Sequence, residues 1–137
     1  MTGNEHQILD GVMNQWRSAV NAHDYDRVAS YFTDDVIFQG LHPYSVGPRS
    51  VAEYYASQPI GMTAAYTIRE TRRLADDLVL GYLSVDFAFT DRPALTVCLS
   101  VIVRRTGKGW FISHYQVSRL TQLDASTPVT AHAAGGG

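Results

Sequence analysis

The hydrophobic period of the chain changes once, near Ala64, and that change restricts the fold more than any other feature. Before it, Ile8, Leu9, Val12, Met13, Trp16 and Val20 form a stripe at helical spacing, the pattern of a helix with one buried face. Asn4 with Gln7 supplies a capping box at its start, so a first helix is expected over residues 5 to 22. Asp24 caps a short second helix carrying Val28, Tyr31 and Phe32. The segment DDVIFQG reads as a short strand. Gly47-Pro48 opens a third helix that holds Val51, Tyr54 and Tyr55 and stops before Pro59. After Ala64 the pattern becomes that of long strands, expected at Ala65–Ala75, Leu78–Thr90, Pro93–Arg105 and Trp110–Leu120. Asp76-Asp77, Asp91-Arg92 and Thr106–Gly109 supply the turns. Three helices followed by an antiparallel meander predict an α+β fold, with the helices on one face of a curved antiparallel sheet.

Size and charge narrow the function classes. With 137 residues, one domain is expected over residues 1–122, large enough to bury its own core. Residues 123–137 are small and polar and end in three glycines, so they are expected to form a flexible tail. The net charge is −2 without a basic run, which argues against a nucleic-acid partner. No apolar stretch approaches the ~18 residues of a membrane span, and MTGNEHQ lacks the layout of a signal peptide. A cytoplasmic location is the expectation. Cys98 is the sole cysteine and sits in the apolar run LTVCLSVIV, so a buried inert thiol is expected. His6, His23, His42, His114 and His132 show no short ligand spacing, and GKG lies in a hairpin turn before a strand. Neither a metal nor a cofactor is therefore expected.

Turn length sets strand register, and register decides which side chains share a face. With even-numbered turns, Trp110 faces Arg105, His114 faces Val101, Val101 faces Tyr82, and Tyr82 faces Thr71. The same face then gathers Arg69, Ser84, Asp86, Leu99 and Gln116. The opposite face gathers Ile68, Leu83, Val85, Phe87, Phe89, Cys98, Ile102, Phe111, Tyr115 and Val117. A one-residue slip in any turn would swap the sets of that strand.

Three stretches resemble the NTF2-like (cystatin-like, SnoaL-like) superfamily: WRSAVNAHDYDRVASYFTDDVIF, VGPRSVAEYY and RRTGKGWFISHYQVS. The likeness implies a cone, in which helices lie in the concave side of a strongly bent sheet around a pocket. The nearest likeness is to small SgcJ/EcaC-type members, some encoded with polyketide and enediyne pathways. The kinase association domain related to these implies that the Tyr82, Ser84 and His114 face lines the pocket. In the ketosteroid isomerase branch a helix-one Tyr and two carboxylic acids act on the substrate. Those positions fall at Trp16, near Gly40 and near Val101 here, so that mechanism does not transfer.

His114 is the first candidate for acid–base work near neutral pH, with Asp86 as a second catalytic group. Asp86 lies in SVDFAF and needs a partner; Arg69, one row away, is the expected ion-pair partner. Trp16, Tyr31, Phe38, Tyr55, Arg69, Tyr82, Ser84, Leu99, Val101 and Gln116 are the expected ligand-binding residues. His42 and Tyr44 lie in a loop placed to act as a lid. A Ser84–His114–Asp86 triad is rejected, because Asp86 and His114 fall two strands and two rows apart. Two readings follow. One is a pocket protein for a hydrophobic polyketide-like molecule, performing isomerisation, cyclisation or dehydration without a cofactor. The other is a non-catalytic ligand-binding or assembly module. In both, a homodimer packed through the convex sheet face is expected, since helices cover only one side of the sheet.

Overall fold

A computed structural model describes residues 4–59 and 61–119. The expected tail, 123–137, lies outside the described residues.

The elements run α1 (Asn4–Asn21), α2 (Tyr25–Ala29), β1 (Phe32–Gln39), β2 (Ser45–Val46), α3 (Pro48–Ala56), β3 (Thr63–Ala75), β4 (Leu78–Ala88), β5 (Leu95–Thr106) and β6 (Gly109–Arg119). Asp24 caps α2 as expected, its carboxylate accepting the Arg27 backbone N–H at 3.2 Å. Pro48 opens α3 behind Gly47, whose φ of 97° suits a residue without a Cβ. Among the described residues, three helices pack on one six-stranded sheet of order β2-β1-β6-β5-β4-β3, an α+β cone. The four long strands form the expected antiparallel meander. The sheet as a whole is mixed, because β1 lies parallel to β6 and makes β6 a central strand.

The buried face explains the helical stripe. Leu9, Val12, Met13, Trp16 and Val20 are all buried, against Leu83, Val85, Leu99, Val101 and Ile112 of the sheet. Gly81 lets α1 come close. A Cβ placed there would lie 2.3 Å from Leu9 Cδ2 and 3.1 Å from its Cγ. Leu9 is itself fully buried, so its side chain can give way only by displacing other core side chains. Gly81→Ala is therefore expected to destabilise the domain by about 1–3 kcal/mol, the range for an overpacked core. Urea unfolding of Gly81→Ala, Leu9→Ala and the double variant tests this. The double variant should lose less than the sum of the two singles.

The face assignment made from turn parity is corrected on three strands. On β6, Trp110 opposes Arg105 as expected, but Ile112 opposes Val103 while His114 opposes Ile102. Ser113 is thus an extra residue, a bulge, and its hydroxyl donates to the Ile102 carbonyl at 3.3 Å. Beyond it every side chain changes face. Tyr115 and Val117 turn into the core, and His114 and Gln116 turn out. Between β4 and β5, Phe87 opposes Leu95, so residues 88–94 form an odd-numbered connection. Gly81, not Tyr82, then faces Val101. On β3 the two-residue turn is as expected, with Ala75 opposite Leu78, but extra residues at Leu74 and Arg69 slip the register. Arg69 lies outside as a result. Only β5 keeps its expected inner set, Leu99 and Val101. The bulges also add local twist and bend, which the cone requires.

Candidate functional site

The centre of the cone is a hydrogen-bonded chain of aromatic side chains from three elements. Trp16 on α1 donates its indole Nε1–H to the Tyr55 hydroxyl on α3 at 3.1 Å. The Tyr55 and Tyr115 hydroxyls lie 3.0 Å apart, Tyr115 coming from β6. The helical stripe, the third helix and the Ser113 bulge together place these groups. Phe38 of β1 stacks on Tyr115 with ring centroids 4.5 Å apart, and Phe32 and Trp16 close around the same ring at 6.0 and 6.2 Å. Burial pushes both hydroxyls far above the ordinary phenol range, and for Tyr115 the neighbouring Tyr55 adds to it. They stay neutral donors throughout the physiological range. Because these values are raised, the stability they carry is fully present below pH about 10 and is lost as pH climbs toward the folded values.

Beside this chain lies a small enclosed cavity of about 20 Å³, room for about one water. Tyr55 and Tyr115 contribute its hydroxyl-bearing side, and Phe87, Phe89, Leu95 and Val117 its apolar wall. Leu41, Tyr54, Gln58 and Met62 complete it. Leu41 is 43% exposed and marks the edge nearest solvent. Tyr54 fills the space that a side chain at Gly40 would occupy, since a Cβ there would lie 2.3 Å from the ring. Its hydroxyl accepts the Leu41 N–H at 3.2 Å, tying the loop after β1 to α3. Larger grooves flank the β5–β6 hairpin, one of about 870 Å³. They are open to solvent, and within the 870 Å³ groove Arg104 is already paired with Asp35 at 3.3 Å.

The expected site residues separate into two groups. Tyr55 lines the cavity. Trp16 and Phe38 touch Tyr115 from behind, and Leu99 and Val101 are core residues that do not line it. Tyr31 borders an outer groove with Trp110. Tyr82, Ser84, Asp86, Arg69, His114 and Gln116 lie on the outer sheet face. Tyr82 is 44% exposed, and His114 sits between Ile37 and Ile102 across the strands. The expected Arg69–Asp86 ion pair is replaced by two separate bonds. Asp86 accepts the Thr96 hydroxyl at 2.5 Å, and Arg69 donates to Ser84 at 2.9 Å. Asp86 is solvated and needs no buried partner. Sequence reasoning assigned Tyr115, Phe87 and Val117 to the other face. Their apolar character was the available signal, since a helix-covered face needs the more apolar set. Among the described residues no group of three or more His, Cys, Asp and Glu side chains is placed to hold a metal ion, and no helix is long and apolar enough to cross a membrane.

Helices laid on a bent mixed sheet around an aromatic interior define the NTF2-like class of α+β cones. The SnoaL-like domain family model matches residues 9–122. The chain belongs to that family. Three solved structures share the fold. A ketosteroid isomerase-like protein from Erwinia carotovora atroseptica superposes with a TM-score of 0.75 at 22% identity, over 88% of this chain and 99% of that one. A domain with a cystatin-like fold from Nostoc punctiforme gives 0.77 at 14% identity, over 98% and 94%. An NTF-2 like protein from Shewanella oneidensis gives 0.72 at 15% identity, over 82% and 98%. At these identities the likeness is one of fold. No curated protein matches the chain.

Proposed function

We propose that the cone is a binding module for a hydrophobic small molecule, which enters at the Leu41 edge by moving aside the side chains that now leave room for about one water, and is held without chemistry. The observation that carries this reading is the lining of the cavity. Apolar walls meet two buried hydroxyls, and the residues lining it include no carboxylate, imidazole or amine. That combination suits recognition and gives no general base for isomerisation, cyclisation or dehydration. His114 and Asp86 lie on the other side of the sheet from the cavity. The likeness to SgcJ/EcaC-type proteins supports a polyketide-like or enediyne-pathway compound as the ligand class.

The hydrocarbon indane tests the pocket alone. Calorimetric titration is expected to show saturable binding that His114→Ala and Asp86→Asn leave unchanged within two-fold. Leu95→Trp, which fills the cavity, should abolish it. Native protein that does not bind indane would defeat the reading.

The same proposal pairs two copies through the outer sheet face. Val46, Ile37, His114, Ile102 and Leu80 form one continuous cross-strand row there, with Ile37 46% exposed. The row differs from the expected patch, since Tyr115, Phe87, Leu83 and Val117 are inside. An apolar row on a face without helices supports an isologous dimer. Light scattering at micromolar concentration should give a dimer for the native chain and a folded monomer for Ile102→Glu. A native monomer would refute the pairing.

A further inference from the structure

His114 is the middle residue of the outer-face row Val46, Ile37, His114, Ile102 and Leu80, half-buried between two isoleucines. The charges around it on the same face are matched. Asp35, just before Ile37, and Arg104, just after Ile102, meet at 3.3 Å. The Thr33 hydroxyl and Arg104 hold the Asp35 carboxyl below its ordinary range. The row continues on β3 to Arg72, which is paired with Glu70 at 3.0 Å. Arg69 and Asp86 balance each other and bond to the hydroxyls of Ser84 and Thr96. Tyr82 and Cys98 lie further along β4 and β5. Of these side-chain types only histidine ordinarily changes charge between pH 5 and 8. The other described histidines are elsewhere, His6 on α1, His23 at the Met62 carbonyl and His42 against the Tyr54 ring.

A second copy of the chain fits such a face, because its charges are balanced within each chain and leave no excess of one sign to repel the copy. In an isologous pair built on one row, the middle residue of the row meets its own copy. We infer that the outer-face dimer sets the two His114 imidazoles against each other at its two-fold axis and comes apart when they are protonated. The inference rests on the pairing described above and adds its control by pH. Neutral imidazoles can be buried beside Ile37 and Ile102, one ring N–H donating to the ring nitrogen of the copy. Two imidazoliums in the same place are like charges that lose water and find no free carboxylate. The protomer takes up these protons and the dimer does not, so falling pH favours the protomer.

Sedimentation equilibrium of the native chain at pH 7.5 and 5.5 tests this. Pairing is expected to weaken at least about ten-fold at the lower pH. His114→Gln keeps a neutral side chain and should pair equally at both. His114→Lys should pair at pH 7.5 as poorly as the native chain does at pH 5.5. In native protein the His114 ring signal should report proton uptake at lower pH in concentrated than in dilute solution, a reading that needs no variant. Equal pairing of the native chain at both pH values, or a His114→Gln chain that keeps the native pH dependence, overturns the inference and leaves the dimer standing. Tighter pairing at pH 5.5 overturns it too, and would set His114 against a carboxylate of the copy. A native chain that is monomeric at pH 7.5 defeats the pairing and the inference together.

Discussion

Tyr115→Glu is expected to leave the chain unfolded at 25 °C, with loss of native far-ultraviolet circular dichroism and accumulation of insoluble protein. Tyr115 is buried against Phe38, Phe32 and Trp16, and its hydroxyl partner is the neutral Tyr55. A carboxylate there has no cation to pair with. Burying an unpaired charge costs several kcal/mol, and the lost ring contacts add to it. A total above about 4 kcal/mol removes much of the ~5–15 kcal/mol that holds a domain of this size together. Tyr82→Glu serves as the control. Tyr82 is on the outer face, and its substitution should change monomer stability by about 0.5 kcal/mol or less. A folded Tyr115→Glu chain beside a damaged Tyr82→Glu chain would mean that the sheet faces are the reverse of those described.

Trp16→Ala has the second large expected effect, a loss of about 3–5 kcal/mol in urea unfolding at equilibrium. The indole is fully buried between the sheet and α3, with its ring edge on Phe87 at 6.4 Å. Truncation leaves a cavity that the surrounding rings cannot fill, and takes from Tyr55 the indole donor. Trp16→Phe should cost less, since it keeps most of the volume and loses the hydrogen bond, worth about 1 kcal/mol. A Trp16→Ala chain less than about 1 kcal/mol below native would contradict the central place given to this side chain.

The elements were legible in the sequence because each carried its own period and its own punctuation. The stripe from Leu9 to Val20 allowed α1 one buried face only, and Asp24 and Pro48 marked the next two helices. On β5 the inner set assigned from turn parity agrees with the alternation of Val97, Leu99, Val101 and Val103, all buried, with Cys98, Ser100 and Ile102 between them. The site was not legible, because it depends on register, and register here depends on single extra residues. Ser113 looks like any strand residue, yet its bulge decides whether His114 or Tyr115 meets Trp16. Arg69 does the same on β3. A bulge leaves no fixed signature in one sequence, whereas a hydrophobic period does. The apolar cost of the assumed arrangement was the readable warning. It placed Leu83, Val85, Phe87, Tyr115 and Val117 on the face without helices, where only a second copy could cover them, and Tyr82, Asp86 and His114 under the helices, against the usual sense of burial.

The most direct measurement uses the two tryptophans, one on each side of the question. Trp16 donates to the hydroxyl pair at the cavity wall, while Trp110 stacks with the guanidinium groups of Arg73 and Arg105 at the hairpin. Each gives one indole signal in a nitrogen–proton correlation spectrum of labelled protein. Titration with indane should move the Trp16 indole signal saturably and leave that of Trp110 in place. A shift of Trp110 with Trp16 unmoved would put the ligand in the outer grooves, and two unmoved signals would mean that the cone takes no ligand at all.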